Sequence, residues 1–390
     1  MNNIDTSGLP QVPSYASQDC ELWRCVLHAL ENERCLDLHY RRHSTVLDDD
    51  PVIPNYKVMK QLAFRERLGF MYRPLLVLVQ LLIPALGLAQ LGFAAWMCLV
   101  RRGRERSIKI HVIATTPNNA RLIESALSEK QDHPQYDPEL LRLSHLAAYI
   151  RLTGVLQCAV AYFRLMGHII GSAEKRRDML LHSRDAVSLL MLAHYAKANP
   201  GLGFVTDDHY QRWSYILSHS SQNFQIVQHG FLDKNIEFEH SFGLVHQLFV
   251  RDSSFLPYFT QYYDVLKWKW FSAPILLDSQ QYAEGAVFLA SSFPSIDVEI
   301  EFVRILRQRS DVPVIIKFHP SHHYDDRKRV LSSLADHVCP KEQYPACRIF
   351  VSYNSFMEYD YRALGIHTVS IVRSGDANNA VESTLQQLKA

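Results

Sequence analysis

The sequence predicts an α/β fold with parallel sheets, and two observations carry that prediction. Its strand-like runs, such as VPVIIKF at 312–318, are apolar at nearly every position rather than alternating, which is typical of strands that helices cover on both faces. These runs alternate with helical patterns in two separate series. With 390 residues, of which 47% are hydrophobic, the chain is long enough for two or three domains with sizeable cores.

The first series follows a polar lead and an apolar segment. Residues 1–73 form the lead, which contains one helix at 20–42 and is interpreted as an appendage without visible chemistry. The elements predicted after the apolar segment are a strand at 107–116, a turn and helix at 117–129, long helices to about residue 198, a strand at 203–208, a helix at 211–220, and strands at 224–230 and 243–252.

The second series begins after residues 258–284, which are the best candidate for a linker. Strand, helix, strand at the observed spacings indicates two Rossmann-like halves with a cleft between them. The predicted elements are strands at 285–292, 312–318, 348–353 and 367–372, with helices at 297–310, 325–336, 355–365 and 380–390. The predicted domains are a helical N-terminal extension at 1–73, an apolar membrane-associating segment with a basic flank at 74–105, and Rossmann-like domains at 106–275 and 276–390.

Residues 74–100 contain no charged side chain, and at about 1.5 Å per residue a helix of this length would cross the hydrocarbon of a bilayer. Arginines flank the segment on both sides, which gives no clear topology. Pro84 and Gly87 allow a kink or a hairpin that returns to the same leaflet. Three interpretations stay open: a single span, a re-entrant or interfacial anchor, and a buried helix.

A second apolar stretch at 143–171 is interrupted by Arg151 and Arg164. The two charges inside the stretch favour a long amphipathic or core helix over a span. The alternative is a surface that lies on the membrane and receives a lipid-linked acceptor.

Composition narrows the function classes. The 41 Lys plus Arg nearly balance 40 Asp plus Glu, so no global field favours nucleic acid. The seven cysteines form no CxxC pair, as expected of reduced cytosolic thiols. The N-terminus has neither a basic start nor an early apolar core, so no secretory signal is predicted and the chemistry is expected to face the cytoplasm.

Motifs of several enzyme classes are absent from the sequence. There is no GxxxxGK[ST], no GxGxxG after a strand, no HExxH and no GxSxG, which removes the signatures of P-loop, dinucleotide, zinc-protease and serine-hydrolase chemistry. No DxD triplet follows a strand. A metal-dependent transferase with a single Rossmann domain is therefore disfavoured.

The most informative motif is Lys317-Phe318-His319-Pro320, at the end of the strand 312–318. The ring of Pro320 disfavours α backbone at His319, so the strand ends sharply with His319 at its tip. Open α/β sheets bind ligands beyond such carboxyl ends, and an imidazole there can hold or protonate a phosphate oxygen. Lys317 lies on the same face of the strand. The alternative is a turn whose imidazole bonds a backbone carbonyl.

The next strand end carries Ser352, Asn354 and Ser355 before a helix. Ser355 and Glu358 have the spacing of a capping box, which would satisfy the first amides of the helix without a ligand. The same helix start with its hydroxyls can also hold a phosphate. If Glu358 is not needed for the box, its carboxylate can accept from ribose hydroxyls. The two interpretations are not exclusive.

Three strand ends in the first half are also polar and are predicted to line the opposite wall of the cleft. His229, Asp207 and Asp208 can each accept a proton from an attacking hydroxyl. For at least one of the aspartates, capping the following helix is the alternative. Gly230 would let the backbone turn tightly. The full set on this acceptor side is Thr115, Thr116, Asp207, Asp208, Gln228, His229 and Gly230.

These motifs together are similar to those of a known family. QHG after a first-half strand, KxHP after a second-half strand and a serine turn continuing as S-x-x-E-x-x-x-x-x-x-G resemble the GT-B glycosyltransferases of bacterial capsule and lipopolysaccharide biosynthesis. The nearest group uses CMP-activated acidic sugars, as the Kdo and sialic acid transferases do, together with the CDP-glycerol glycerophosphotransferases. The resemblance covers roughly residues 106–390. The chain departs from the pattern in Tyr359-Asp360-Tyr361, where small residues are common, and in its apolar insert, which leaves the donor base open.

The resemblance implies a role for each motif. His319, Ser352 and Ser355 would contact the donor phosphate, Glu358 would lie near the nucleoside, and a base in the first half would activate the acceptor hydroxyl. The donor side would comprise Lys317, His319, Pro320, Ser352, Asn354, Ser355 and Glu358, and the base would be Asp207, Asp208 or His229.

The expected function is a membrane-associated transferase on the cytoplasmic face of the inner membrane. It would move a sugar from a nucleotide donor, with CMP favoured, to a growing, lipid-linked surface polysaccharide, and the scheme needs no metal or cofactor. One alternative is a CDP-polyol phosphotransferase or UDP-sugar epimerase on the same fold. A second is a non-catalytic assembly partner bound to the membrane.

Overall fold

The computed structural model of the chain describes residues 21–42, 65–100, 110–114, 117–127, 135–136, 141–172, 176–207, 210–230, 235–271, 275, 277–278, 285–292, 295–319, 326–340 and 343–389. The chain divides into two compact units, Met1–Trp270 and Phe271–Ala390. Each unit contains a parallel β-sheet together with helices. The predicted α/β class is confirmed, and the division falls close to the predicted boundary between residues 275 and 276.

The first unit contains a six-stranded sheet in the order β2-β1-β3-β4-β6-β8, and every neighbouring pair is parallel. Runs such as Phe224–Val227 are buried at all positions, which explains why they read as continuous apolar stretches. Because β2 lies on one side of β1 and β3 on the other, the sheet has its switch point between β1 and β3. The strands are β1 Ile110–Ile113, β2 Gln135–Tyr136, β3 Gly203–Thr206, β4 Phe224–Val227, β6 Gln247–Val250 and β8 Trp268–Trp270, and a separate parallel pair joins β5 Leu244–Val245 to β7 Asp264–Val265.

The helix predicted in the lead belongs to the core of the first unit and is not an appendage. Its residues Val26, Ala29 and Leu30 are fully buried, and its Glu33 pairs with Arg212, far along the chain. The helices of this unit are α1 Leu22–Arg42, α2 Tyr72–Val100, α3 Pro117–Leu127, α4 Leu143–Tyr149, α5 Leu152–Gly171, α6 Arg176–His182, α7 Ala186–Ala198, α8 Arg212–Ser220 and α9 Leu256–Thr260, with 3-10 turns at Gly69–Met71, Ser183–Asp185 and Ser253–Phe255.

The apolar segment forms one continuous helix, α2, which passes through Pro84 without a break. The hairpin form of a re-entrant anchor is therefore not adopted. One stripe of α2 is buried against its own unit, and the hydroxyl of Tyr162 on α5 donates to the Pro84 carbonyl oxygen at 3.1 Å. The buried stripe consists of Tyr72, Gln80, Ile83, Gly87, Leu91, Ala94 and Met97.

Two helical stretches, Arg65–Val100 and Leu152–Gly171, are long and apolar enough to cross a membrane by length and composition. Only 22% of the most apolar window of the first stretch and 44% of that of the second is buried. The prediction of one helix over 143–171 was wrong in one respect. Ile150 and Arg151 have extended backbone and separate α4 from α5.

The second unit contains a five-stranded parallel sheet in the order β11-β10-β9-β12-β13. The chain builds one half outward from β9 and then crosses to build the other, so the switch point lies between β9 and β12. One face packs against α10, α11 and α14, and the other is covered by an aromatic cluster around Tyr361. The elements are β9 Val287–Ser291, α10 Ile296–Arg309, β10 Val314–Phe318, α11 Asp326–Ser333, β11 His337–Val338, β12 Ile349–Ser352, α12 Met357–Ala363, β13 His367–Ser370, α13 Ile371–Ser374 and α14 Ala377–Lys389.

Part of the predicted linker is not a linker. Residues 258–284 supply β7 and also β8, which is the edge strand of the first sheet. The run DVLKWKW has no continuous apolar character, because an edge strand has exposed positions. The short strands β2 and β11 were also not predicted, since two-residue strands leave no periodic signal.

Candidate functional site

The switch point of the first sheet carries a cluster of polar side chains. Strands β1, β3 and β4 end side by side, because Ile113 pairs with Thr206 and Thr206 with Ile226. Asp207 follows β3 and is fully buried. Its Oδ2 accepts a short hydrogen bond from Asn119 Nδ2, at the start of α3, and lies 3.8 Å from Nδ1 of His229. The carboxylate is therefore held between an amide and an imidazole.

Asp207 and His229 differ in exposure, although the sequence predicted the same proton-accepting role for both. The His229 side chain is 32% exposed while that of Asp207 is inaccessible. His229 Nδ1 is in short hydrogen-bond contact with the main-chain oxygen of Asp207. This contact favours the tautomer with the proton on Nδ1, which leaves the lone pair on Nε2. The imidazole can then act as the base, with the carboxylate in an orienting position.

The capping alternative for Asp207 was wrong. The residue that caps α8 is Gln211, with extended backbone and no side-chain capping bond. Asp207 is instead committed to the strand-end cluster. Three other residues predicted on this wall, Thr115, Thr116 and Asp208, lie outside the described residues.

Gln228 and Gly230 have structural contacts. Gln228 is fully buried, its amide donates to the Gly230 carbonyl oxygen at 3.2 Å, and its side-chain oxygen accepts from the Arg251 amide at 3.1 Å. The side chain ties the end of β4 to the end of β6. Gly230 lies at a bend and does not have a positive φ. A Cβ atom there would meet nothing within 4 Å, which leaves open space beside the turn.

The switch point of the second sheet brings three strand ends together. Phe318 pairs with Ser291, and Ser352 pairs with Ala290, so β10, β9 and β12 end next to one another. His319 is exposed at the tip of β10, and its amide donates to the Ser291 carbonyl oxygen at 3.0 Å. The structure therefore places His319 at the strand tip, as the motif predicted. Pro320 lies outside the described residues.

Lys317 is not at the strand tip. It is 7% exposed, its Nζ donates to the Gln343 carbonyl oxygen at 2.6 Å, and it lies 3.8 Å from the centre of the Tyr344 ring. Its charge is satisfied by the loop that follows β11. The expectation that Lys317 faces the donor is corrected, because its face of the strand packs against this loop.

The capping box predicted for Ser355 and Glu358 is not formed. The N-cap residue of α12 is Phe356, without a side-chain capping bond. The hydroxyls cap the turn in another way: Ser352 Oγ accepts from the Ser355 amide at 3.2 Å, and Ser355 Oγ accepts from the Met357 amide at 3.3 Å. Ser352 is buried, and Asn354 is exposed at the turn.

Glu358 is held by cations. Its Oε1 contacts both Arg362 and Arg373 and accepts from the Thr368 hydroxyl at 3.3 Å. The carboxylate is 3% exposed, while the two arginines are half exposed. A ribose hydroxyl would have to share a carboxylate that already binds two guanidinium groups. The arginines themselves present positive charge beside the end of β12 and were not predicted.

A buried carboxylate at the end of β9 was also missed. Glu299 on α10 is fully buried, and it accepts from the Ser291 hydroxyl at 2.5 Å, the Ser292 amide at 3.0 Å and the Ser295 hydroxyl at 3.0 Å. Burial raises the pKa of Glu299, and the serine contacts oppose that shift. The cluster fixes the turn that leaves β9 at the switch point.

Some of the missed residues had a signal in the sequence. Asn119 comes three residues after the first predicted strand, at the start of the helix that follows it, where the switch-point argument applies to any polar side chain. Ser295 and Glu299 are four residues apart, which is the spacing of neighbours on one helical face. Arg362 is likewise four residues from its partner Glu358. Arg373 had no such signal, because it is contributed from beyond the next strand.

No protein-family model matches this sequence, and no curated protein is significantly similar to it. The geometry alone indicates what the two switch points can do. The first offers a partly exposed imidazole oriented by the main-chain oxygen of Asp207, with the buried carboxylate of that residue 3.8 Å away. The second offers an exposed imidazole beside hydroxyls and two arginines, which is suited to an anion.

Proposed function

We propose that the chain is a glycosyltransferase of the GT-B type that transfers a sugar from a nucleotide donor, with CMP favoured, to a lipid-linked surface glycan. The observation that carries the proposal is that each unit has a parallel sheet with polar, chemically different side chains at its switch point. A proton-accepting group in one unit and an anion-holding group in the other are the two functions that such a transfer needs.

The donor phosphate is assigned to the second unit. His319 is exposed at the strand tip, where its imidazole can donate a hydrogen bond to a phosphate oxygen and protonate the leaving group. Arg362 and Arg373 are half exposed near the end of the neighbouring strand and can add positive charge as the leaving phosphate develops. Charge stabilisation by fixed side chains requires no metal ion.

The acceptor hydroxyl is assigned to the first unit, with His229 as its base. The imidazole is accessible, and its Nδ1 is engaged by Asp207, so Nε2 can accept the proton. Asp207 is then a positioning residue that holds the ring and stabilises the imidazolium, as in other carboxylate–histidine pairs.

The membrane surface is assigned to α2 and the adjacent part of α5. Outside its buried stripe, and apart from Arg73 and Gln90, α2 exposes apolar or small side chains, including Leu81 and Leu82 at 70% and 55% exposure. A helix that is apolar on its exposed sides is typical of contact with lipid. The free cysteines among the described residues agree with a reducing compartment. Attachment here would bring a lipid-linked acceptor to the first unit.

The decisive test of the donor site is nucleotide binding by the full chain. We expect CMP, CDP, UDP and GDP to bind with different affinities by calorimetry, and His319→Ala to lose binding of the preferred nucleotide and all transfer. His367→Ala is the matched control. His367 is exposed in the same sheet but begins β13, so it lies at the amino ends of the strands, whereas His319 lies at their carboxyl ends. Wild-type transfer by His319→Ala would contradict the donor assignment.

The base is tested separately. His229→Ala is expected to lower kcat by about 10²–10⁴-fold while nucleotide affinity stays unchanged. Asp207→Asn is expected to change the pH profile of kcat, which a purely structural role would not do. If His229→Ala transfers sugar normally, the assignment of the base is wrong even if the donor site stands.

The membrane contact is tested by sedimentation with vesicles of anionic phospholipid. Leu81→Glu with Leu82→Glu is expected to release the chain, since each charge costs roughly 3 kcal/mol in hydrocarbon. Val338→Glu is the control, because Val338 is an exposed apolar residue of the second unit. Unchanged sedimentation of the double variant would exclude α2 as the contact.

Two alternatives are separated by products. A CDP-polyol phosphotransferase would release CMP from a CDP-polyol, and an epimerase would convert a UDP-sugar without an acceptor. A non-catalytic partner would bind no nucleotide. The accessible imidazoles at both switch points favour an enzyme over the last of these.

A further inference from the structure

A cluster of metal-ligating side chains lies in the first unit, outside the residues discussed so far. His28 and Glu31 are on α1, and His240 is in the segment before β5. One potential ligand atom from each lies within 4.8 Å of the others. His240 Nε2 is 2.7 Å from Glu31 Oε2, and the rings of His28 and His240 stack with centres 3.8 Å apart.

We propose that His28, Glu31 and His240 bind one divalent transition-metal ion, with Zn²⁺ as the best match. Two imidazole nitrogens and one carboxylate oxygen form a donor set that Zn²⁺ accepts with water as the fourth ligand. The harder ions Mg²⁺ and Ca²⁺ prefer sites built from oxygen alone. The side chains of His240 and Glu31 are 26% and 13% exposed, so an ion and its water can reach them.

Neighbouring contacts hold α1 and the segment of His240 together before any ion binds. His28 and Glu31 are three residues apart on α1 and so share one face of the helix. Asn32, which is 1% exposed, donates to the His240 carbonyl oxygen at 2.7 Å and accepts from the His240 amide at 2.9 Å. The Tyr215 hydroxyl lies 3.4 Å from His28 Nδ1 and can orient that ring. Such outer contacts are the usual supports of metal-binding histidines.

The contact between Glu31 and His240 alone does not explain the second imidazole. A carboxylate and one histidine form a complete hydrogen-bonded pair, yet His28 stacks on His240 at an interplanar angle of 17°. Two protonated rings at this separation would repel each other. A metal ion displaces the proton between His240 and Glu31 and uses the lone pairs of both rings. To bind one ion, the two rings have to rotate out of this stack so that their in-plane lone pairs converge.

The bound ion would have a structural role. It would join α1 to the segment 235–243, which follows the turn containing His229 and Gly230. Because no step of the proposed transfer uses a metal, the ion would stabilise the first unit without contacting substrate. The inference therefore stands or falls separately from the proposed function.

The test is a calorimetric titration of the full chain with Zn²⁺ after removal of metal by a chelator and dialysis. We expect one ion per chain with a dissociation constant below roughly 10 µM and a Tm that rises on binding. His240→Ala and Glu31→Gln should each weaken binding by at least about tenfold. His28→Gln serves as a third variant if either of these fails to fold by circular dichroism.

Two controls distinguish this site from its surroundings. His219→Ala should bind Zn²⁺ like the wild type, because its Nε2 faces the Ser241 carbonyl oxygen at 3.2 Å. Cys35→Ser should also bind normally, although its thiol lies 3.8 Å from Glu239 next to His240. Loss of binding in Cys35→Ser, normal binding in His240→Ala and Glu31→Gln, or no binding to the wild type below millimolar Zn²⁺ would overturn the proposal.

Discussion

Arg212→Met is expected to lower the free energy of unfolding of the first unit by more than a substitution of an exposed residue does. Arg212 begins α8 and is 2% exposed, and its Nε lies 2.8 Å from Oε2 of Glu33, which is fully inaccessible. Its Nη1 also contacts Asp185 and donates to the His182 carbonyl oxygen at 3.2 Å. Methionine would fill similar volume but leave the Glu33 charge buried without its cation.

The magnitude follows from the burial of Glu33. Removing one partner of a buried ion pair costs about 3–5 kcal/mol, because the remaining charge has no solvation. Asp185 adds little, since it is 39% exposed and water can replace its partner. Against a domain stability of about 5–15 kcal/mol, the loss is a large share. Replacing both partners, as in Arg212→Met with Glu33→Met, is expected to restore most of it.

The destabilisation should depend on pH in a defined direction. Burial raises the pKa of Glu33, and the attraction of Arg212 opposes that shift. In Arg212→Met the largest opposing influence is lost, while burial, Asp37 and Asp185 still raise the pKa of Glu33, so the folded state binds a proton more tightly than the unfolded state. The unfolding free energy of the variant should therefore rise as pH falls towards the ordinary pKa of a glutamate, and the difference from wild type should shrink.

Tryptophan fluorescence during urea unfolding measures this loss in the right place. All five tryptophans of the sequence lie in the first unit, so the signal does not include the second. Arg164→Met is the control, because its pair with Glu21 is 59% and 47% exposed and should contribute about 0–1 kcal/mol. A loss below about 1 kcal/mol in Arg212→Met, or a double variant less stable than the single one, would refute the reasoning.

Three further predictions concern packing, hydrogen bonding and protonation. Gly87→Ala should lower the Tm, since its Cβ would come within 2.0 Å of the tyrosine hydroxyl on α5. Gly92→Ala has open space around it, so it should raise the Tm through the usual gain in stability of about 0.5–1 kcal/mol. Glu299→Leu should strip three donors of their acceptor and destabilise the second unit by about 2–4 kcal/mol, seen as faster amide hydrogen exchange in α10; exchange equal to wild type would contradict this. Burial, aided by the neighbouring imidazole of His240, lowers the pKa of His28 to about 4 from 6.5, so stability should fall as pH decreases from 6.5 towards 4 and be constant above 6.5. His28→Gln should remove that slope, and a slope that persists would assign it to another group.

Much of the fold follows from local pattern, and the strand ends show why. The runs at 203–206, 224–227 and 314–318 are mostly apolar because both faces of a parallel strand are covered, and the structure has strands there. Polar residues directly after such runs must lie at the carboxyl edge of a sheet. That geometry alone was enough to place Asp207 and His319 at strand tips.

The environment of those residues depended on tertiary contacts. Lys317 shares a strand with His319, yet its ammonium is bound by the Gln343 carbonyl oxygen, which comes from a loop beyond the next strand. Glu358 has the spacing of a capping residue, but Arg362 and Arg373 bind its carboxylate instead. Charge attraction between side chains is stronger than a single capping bond, and the sequence does not reveal which charges meet.

By itself, the sequence determined that the chain is an α/β protein with parallel sheets, and that residues such as His319 end the strands. Periodicity encodes this, because each residue's burial depends on its own strand or helix. Only the tertiary structure decided that α1 belongs to the first unit through Glu33 and Arg212, and that His28 meets His240. Such contacts join residues far apart in sequence, and they form only when the packing of whole elements brings the side chains within bonding distance.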